Sequence, residues 1–301
     1  ILQMENRKHL EKRIVFFGTP DFASYQLEYL YSKGYNIVAV VTTPDRKKTR
    51  GKQLTSCDVK LKAIELNIPT LEPENLKAES FIKELEAYKA DLQVIVAFRM
   101  LPKVVWNMPE FGTINLHGSY LPNYRGAAPI NWALINGDQY SGVSTFVLKH
   151  EIDSGDILKR KKVKIKPGSD FGSLYNELKI EGAPLLDESI SEYLNKDIKP
   201  IPQSELNNEN IVSEAPKIFK ENCKIDWNKP AKEIYNLVKG LSPVPGSFTF
   251  LTKKEDKSLV SFKIFDCIIE ESNFSKKPGE FTTNDKKEIV VQCSNNTLRL
   301  L

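Results

Sequence analysis

Ile14-Val15-Phe16-Phe17-Gly18-Thr19-Pro20-Asp21-Phe22 is an apolar run that turns at a glycine and opens a helix. Proline suits that first helical turn, because the N–H it lacks would find no intrahelical partner there. Phe22, Tyr25, Leu27, Leu30 and Tyr31 then recur at helical spacing until Gly34 ends the run. The next strand candidate, Ile37–Val41, is apolar and β-branched on both faces, as expected where helices cover both sides of a parallel sheet.

The alternation continues with a helix over Val59–Leu66, a short Pro69-Thr70-Leu71 strand, a helix over Ala78–Glu86 and a strand over Leu92–Ala97. A βαβαβ order of this kind predicts a doubly wound, largely parallel α/β sheet. Thr113–Leu116 adds a strand that leads into His117-Gly118-Ser119, and a helix over Pro129–Asn136 follows a loop bearing Gly and Pro. Val143–Lys149 and Ile157–Ile165 read as a hairpin around Asp153-Ser154-Gly155-Asp156. A long amphipathic segment, Phe171–Leu194, closes the domain.

Residues 197–212 are polar, Pro-bearing and without apolar periodicity, which predicts a linker. Beyond it a helix over Pro230–Gly240 precedes short alternating runs at Gly246–Leu251, Leu259–Cys267, Gly279–Thr282, Ile289–Cys293 and Leu298–Leu301. That spacing suits a small antiparallel barrel or sandwich. The expected organisation is therefore a polar tail (1–12), a first domain (13–196), a linker (197–212) and a second domain (213–301).

Of the 301 residues 41% are apolar and 27% charged, which excludes fibrous and disordered classes. No stretch has the roughly 18 uninterrupted apolar residues of a membrane span, and Ile1–Lys12 has no apolar signal core; the expectation is a soluble, cytoplasmic protein. With no heptad pattern or apolar surface stripe legible, the expected state is a monomer. Four cysteines lie far apart without CxxC pairing and only three histidines exist, so neither a disulfide framework nor a metal site is written in the sequence. The net charge of +4 is patchy: residues 46–52 hold five bases (Arg46, Lys47, Lys48, Arg50, Lys52) in seven positions, and 159–166 hold six in eight. A basic loop after a strand end suits the phosphates of a nucleic acid, although an isolated charge run is more often a solvated surface. The 159–166 run alternates Lys with Val and Ile, and reads first as a strand with one charged, solvated face.

The chemistry concentrates in Asn115-Leu116-His117-Gly118-Ser119, at a strand's carboxyl end, where open α/β sheets hold their ligands. A strand period of two puts Asn115 and His117 on one face and Leu116 on the other. The carboxamide can donate to a developing oxyanion, and histidine is the one side-chain type whose ordinary pKa lies near neutrality. Asp153 is the natural third member, a carboxylate able to orient the imidazole, although from spacing alone the plainer reading, an Asp that caps its own turn, wins. No GxSxG elbow, no cysteine near His117, and no GxGxxG or P-loop is present. A donor, an imidazole and a carboxylate without a nucleophile fit direct transfer between two bound substrates, the acceptor's own amine or hydroxyl attacking. The loop Ser119–Ile130, with a Pro turn, Gly126 and two alanines, permits close approach of backbone to a flat ligand.

These motifs resemble those of the methionyl-tRNA formyltransferase family, of the folate-dependent formyltransferase group. The resemblance rests on residues 17–22, Thr43-Pro44-Asp45-Arg46, Arg50-Gly51-Lys52, residues 114–119, residues 125–130 and Asp153–Asp156. Ile225-Asp226-Trp227 and Pro243–Gly246 carry it into the second domain. It implies a Rossmann-like catalytic domain with an OB-like tRNA-binding barrel, and transfer of formyl from 10-formyltetrahydrofolate to the methionine α-amine of initiator Met-tRNA, without a metal. Asn115, His117 and Asp153 match the family's catalytic trio, and Ser119-Tyr120-Leu121-Pro122 its folate loop, with Tyr120 in place of the usual Leu. Arg46–Lys52 matches the insertion that reaches the tRNA acceptor end. Arg99 stands where relatives have Gly, close enough to the implied folate site to meet its glutamate tail or to point to solvent. The competing readings are a formyltransferase acting on an amino sugar nucleotide and a non-catalytic tRNA- or folate-binding relative.

Overall fold

The computed structural model describes residues 8–47, 54–206, 212–253, 256–272, 276–283 and 286–301. Built outward from β1 (Ile14–Gly18), it continues through α1 (Asp21–Ser32), β2 (Ile37–Val41), the two-residue strands β3 (Arg46–Lys47) and β4 (Leu54–Thr55), α2 (Asp58–Glu65) and β5 (Thr70–Leu71). Next come α3 (Glu79–Ala87), β6 (Leu92–Val96), α4 (Lys103–Trp106) and β7 (Thr113–His117). After β8 (Arg125–Gly126) and α5 (Pro129–Ile135) follow β9 (Tyr140–Val147), β10 (Asp156–Lys164) and the long α6 (Phe171–Leu194).

Seven of these strands form one sheet in the order β10-β9-β7-β6-β1-β2-β5. β1 runs parallel to β2 and β6, β6 to β7, and β2 to β5, while β9 returns antiparallel to β7. The order reverses between β1 and β6, which puts the switch point of the doubly wound sheet at Gly18 and Val96. Both faces are covered, so β1 and β6 are buried at every position. On one face Val15, Phe17, Ala39, Val41 and Ile95 pack with Phe81 and Leu85 of α3 and Val105 of α4. On the other, Leu116 of β7 meets α6 at Gly182, where a Cβ would come within 2.9 Å of the leucine methyl. That close approach turns Asn115 and His117 to the opposite face of β7.

The segment expected as a linker is packed in its first half. Ile201 exchanges two backbone hydrogen bonds with Ile157 at 2.8 and 2.9 Å, and α7 (Gln203–Leu206) buries Gln203. β11 (Glu214–Ala215) then pairs with β8. The remaining elements are α8 (Ala231–Leu241), β12 (Ser247–Thr252), β13 (Leu259–Ile264), β14 (Cys267–Glu270), β15 (Phe281–Thr283), β16 (Ile289–Gln292) and β17 (Thr297–Leu300). They form two antiparallel sheets, β12-β13 and β14-β17-β16-β15, around a core of Ile225, Ile234, Val238, Ile264, Cys267, Cys293 and Leu298. The run Leu259–Cys267, which reads as one strand, breaks at Phe265-Asp266 so that its two ends join different sheets. Two compact units result, and neither is continuous in sequence: residues 1–123, 142–162 and 177–212 make one, and 124–141, 163–176 and 213–301 the other.

Within the β8–β11 pair, Gly126 (φ +123°) uses its missing side chain to let Ala215 approach, whose carbonyl oxygen would lie 2.4 Å from a Cβ. Arg99 donates to the carbonyl oxygens of Pro73 and Glu74, the latter at 2.9 Å, and lies over the Phe98 ring; it braces the loop after β5. No helix among the described residues is long and apolar enough to cross a membrane.

Candidate active site

Asn115 and His117 occupy the last turn of the pleat in β7, facing the side opposite Leu116. Register places Asn115 between Ile95 and Phe146, and His117 beside Ser144. The imidazole is 7% exposed and Asn115 half-buried. His117 Nδ1 lies 3.8 Å from Asp153 Oδ2, an ion-pair separation wider than a hydrogen bond, and both side chains are largely screened from solvent. The structure thus brings together a trio whose carboxylate lies far along the chain from its other two members.

Asp153 sits in the turn between β9 and β10 with φ +48°, a left-handed conformation that Asp tolerates better than most L-residues. The turn is pressed onto the end of β9: a Cβ at Gly155 would lie 1.9 Å from the Val147 carbonyl oxygen. Gln203 Nε2 donates to the carbonyl oxygens of Asp153 (2.7 Å) and Gly155 (2.9 Å), and so holds the turn from its other side. Asp156 makes a separate ion pair with Lys149 at 2.6 Å, which leaves Asp153 as the carboxylate of this turn that faces the imidazole.

The segment Ser119-Tyr120-Leu121-Pro122 is fixed through its backbone. Ser144 Oγ accepts from the Leu121 N–H at 3.0 Å and donates to the Ser119 carbonyl at 2.7 Å, while Ser119 Oγ donates to the Asn123 carbonyl. Arg160 donates to the Leu121 carbonyl at 2.7 Å and stacks 4.4 Å from the Tyr120 ring centroid. Leu121 is fully buried against Phe146 and Ile157, and its peptide bond to Pro122 is cis. Tyr120 therefore has an arginine plane as its neighbour, a partner that the usual leucine would not engage in the same way.

Of the basic stretch, Arg46 and Lys47 form one strand of a two-stranded ribbon with Leu54–Thr55; Lys48, Arg50 and Lys52 lie outside the described residues. The ribbon springs from Asp45, which Lys60 grips at 2.9 Å while also holding Glu72 at 2.9 Å. The Lys60 ammonium, and after it the Ser56 hydroxyl, hold the Asp45 carboxyl below its usual range. The other basic run lies in β10. Lys159 pairs with Glu188 and Glu192 of α6 at 3.1 and 2.5 Å, and Lys161 with Glu181. Much of that charge is met within the fold.

Residues 12–190 match the family model Formyl transferase, and residues 217–301 match Formyl transferase, C-terminal domain. The chain is 45% identical over 294 residues to a methionyl-tRNA formyltransferase of Bacteroides thetaiotaomicron, covering 98% of this chain and 91% of that one. The chain belongs to the methionyl-tRNA formyltransferase family. A further methionyl-tRNA formyltransferase, of Flavobacterium johnsoniae, is 42% identical over 289 residues, with 96% and 90% covered. The fold is shared with an N-formyltransferase from Helicobacter canadensis solved with folinic acid and dTDP-3-aminofucose (TM-score 0.67, 18% identity, 95% and 98% covered). It is shared too with HypX from Aquifex aeolicus in complex with tetrahydrofolic acid (TM-score 0.65, 19% identity, 96% and 43% covered).

Within this methionyl-tRNA formyltransferase fold, three supporting side chains escape sequence reasoning. Ser144 reads as one more small residue in a strand, Arg160 as one base in a basic run, and Gln203 as part of a polar spacer. Only cross-chain geometry distinguishes them. Among the described residues no group of three or more His, Cys, Asp or Glu side chains is placed to hold a metal ion.

Proposed function

We propose that this chain transfers the formyl group of 10-formyltetrahydrofolate to the α-amino group of methionine esterified to initiator tRNA. The observation that carries the reading is the trio itself: Asn115 and His117 share one face at the carboxyl end of β7, and Asp153 lies 3.8 Å from the imidazole. The folate supplies the formyl group. A C–N bond forms between the methionine nitrogen and the formyl carbon as the bond from that carbon to the folate nitrogen breaks. One proton leaves the attacking amine and one reaches the departing nitrogen, so none is consumed.

As the amine adds, negative charge grows on the formyl oxygen. Asn115 donates its carboxamide N–H to that oxygen, and protonated His117 adds a charge-assisted hydrogen bond. Nδ1 faces Asp153, so Nε2 is the ring nitrogen available to the formyl oxygen. Asp153 stabilises the imidazolium, fixes the ring's orientation and assists the proton leaving the amine. The backbone of Ser119–Pro122, held by Ser144 and Arg160, is suited to receive the folate without movement. Arg46, Lys47, Lys48, Arg50 and Lys52 reach for tRNA phosphates. On this reading residues 13–196 perform the transfer, 197–212 connect, and 213–301 form an OB-like tRNA-binding appendage.

The test is formyl transfer from 10-formyltetrahydrofolate, with methionyl initiator tRNA, uncharged tRNA and an amino sugar nucleotide as parallel acceptors. Product only on charged tRNA is the expected result. Transfer to the sugar, or to no acceptor, overturns the proposal.

A further inference from the structure

Gln203 lies outside the trio, yet its buried amide touches the trio's backbone. The residue is 3% exposed, and both hydrogens of its amide are used, one on the Asp153 carbonyl at 2.7 Å and one on the Gly155 carbonyl at 2.9 Å. Two residues earlier, Ile201 and Ile157 exchange their backbone N–H groups. These hydrogen bonds together tie 201–203 to the turn that carries Asp153. That turn contains a left-handed non-glycine residue, a conformation that persists only when its surroundings over-determine it. Without these bonds the carbonyls of Asp153 and Gly155 would lose donors, and the turn would be free to rotate them toward water.

We propose that Gln203 is a positioning residue for formyl transfer: its carboxamide holds the Asp153 turn so that the carboxylate stays against His117. The proposal rests on the reading of Asp153 given above. Its consequence is that the stretch after α6 belongs to the catalytic apparatus as a brace rather than to a passive spacer. Geometry requires a side chain with two donors on one nitrogen and the reach of glutamine. Glutamate keeps the shape and removes both donors; leucine keeps the approximate volume and removes the polarity.

The experiment is steady-state formylation of methionyl initiator tRNA by Gln203→Glu, Gln203→Leu, Asp153→Asn and the double variant Gln203→Leu/Asp153→Asn, with a thermal melt of each. The expected result is a kcat lowered about 10-fold or more in both Gln203 variants, with KM for tRNA within about 2-fold, as when an interaction made in the transition state is removed. In the double variant the losses should not multiply, because Gln203 acts only through Asp153. Should Gln203→Leu fold poorly, Gln203→Glu provides the same comparison in a double variant of its own. Full kcat in the Gln203 variants beside an impaired Asp153→Asn overturns the proposal and leaves the trio standing. Losses that multiply also overturn it, since a merely structural brace would act independently of the carboxylate. If Asp153→Asn retains wild-type kcat, the reading of Asp153 fails and the proposal fails with it.

Discussion

His117 turns Nδ1 toward Asp153, and on the proposed mechanism Nε2 is the nitrogen that serves the substrate. Replacing His117 by Ala should lower kcat for formylation by about 10²–10⁴-fold while leaving tRNA affinity intact. Asn115→Ala should cost about 10²–10³-fold, the range for removal of an oxyanion donor. Both are read from kcat beside a tRNA binding isotherm, and undiminished turnover in either variant removes that residue from the mechanism. For Asp153, asparagine is the cleaner probe, since alanine at φ +48° adds backbone strain to the loss of charge. Gly155 answers a different question. An alanine methyl there would lie 1.9 Å from the Val147 carbonyl oxygen, so the turn must lift off β9. Gly155→Ala should destabilise the protein by about 1–3 kcal/mol in urea titration and lower kcat with it, because the displaced turn carries Asp153. A variant of wild-type stability and rate would mean that the turn can relax without moving the carboxylate.

The elements that local pattern predicts best are those whose neighbours are uniform. Ile37–Val41 and Phe171–Leu194 fall on their expected residues, one with apolar packing on both faces and one with a continuous apolar stripe. Pattern fails where pairing partners change: nothing in Leu259–Cys267 marks Phe265-Asp266 as the point at which the chain leaves one sheet for another. It fails again over 197–212, where a polar composition conceals Gln203 because the groups it satisfies are backbone carbonyls 48 and 50 residues away. The trio is legible for the opposite reason, since two of its members are fixed by strand alternation alone. The basic ribbon carries a prediction of its own. Among the described residues β3 and β4, two residues each, pair with one another, and in β10 Lys159 and Lys161 are met by carboxylates of α6. Changing Arg46, Arg50 and Lys52 together to Gln should reduce the slope of log affinity for tRNA against log salt by roughly one for each phosphate no longer neutralised. An unaltered slope would show the ribbon to be a bystander. Unaltered affinity with slower transfer would assign it to placing the acceptor end.

Across the whole molecule, acidic groups that titrate above neutrality are buried in both compact units. Burial, followed by hydrogen bonding to Asp187, raises the Tyr35 phenol. Burial, followed by the hydrogen bond to Asp138, pushes Tyr124 up to about 12. Among the thiols, burial and then the Asp266 carboxylate take Cys267 to about 12, and burial takes Cys293 to about 11. Each of these groups is neutral when protonated, so the fold favours the protonated form and the unfolded chain ionises first. Between the ordinary thiol value of 9.0 and the folded values, the unfolded state therefore binds fewer protons than the native state. The slope of unfolding free energy against pH is then negative. The stability that the two thiols contribute is fully present below about pH 9 and is lost progressively as pH rises through about 11 to 12. Urea midpoints measured from about pH 8 to about pH 11.5 should be level at first and then fall. A Cys267→Ala/Cys293→Ala variant should start from a lower midpoint but fall less steeply between about pH 9 and 11, because two of the ionising groups are gone. Equal steepness in the two proteins would assign the alkaline loss to the other groups that the fold holds protonated, the tyrosines, Cys223 and the ion-paired lysines, and a midpoint that stays level throughout would mean that neither thiol is protected by the fold.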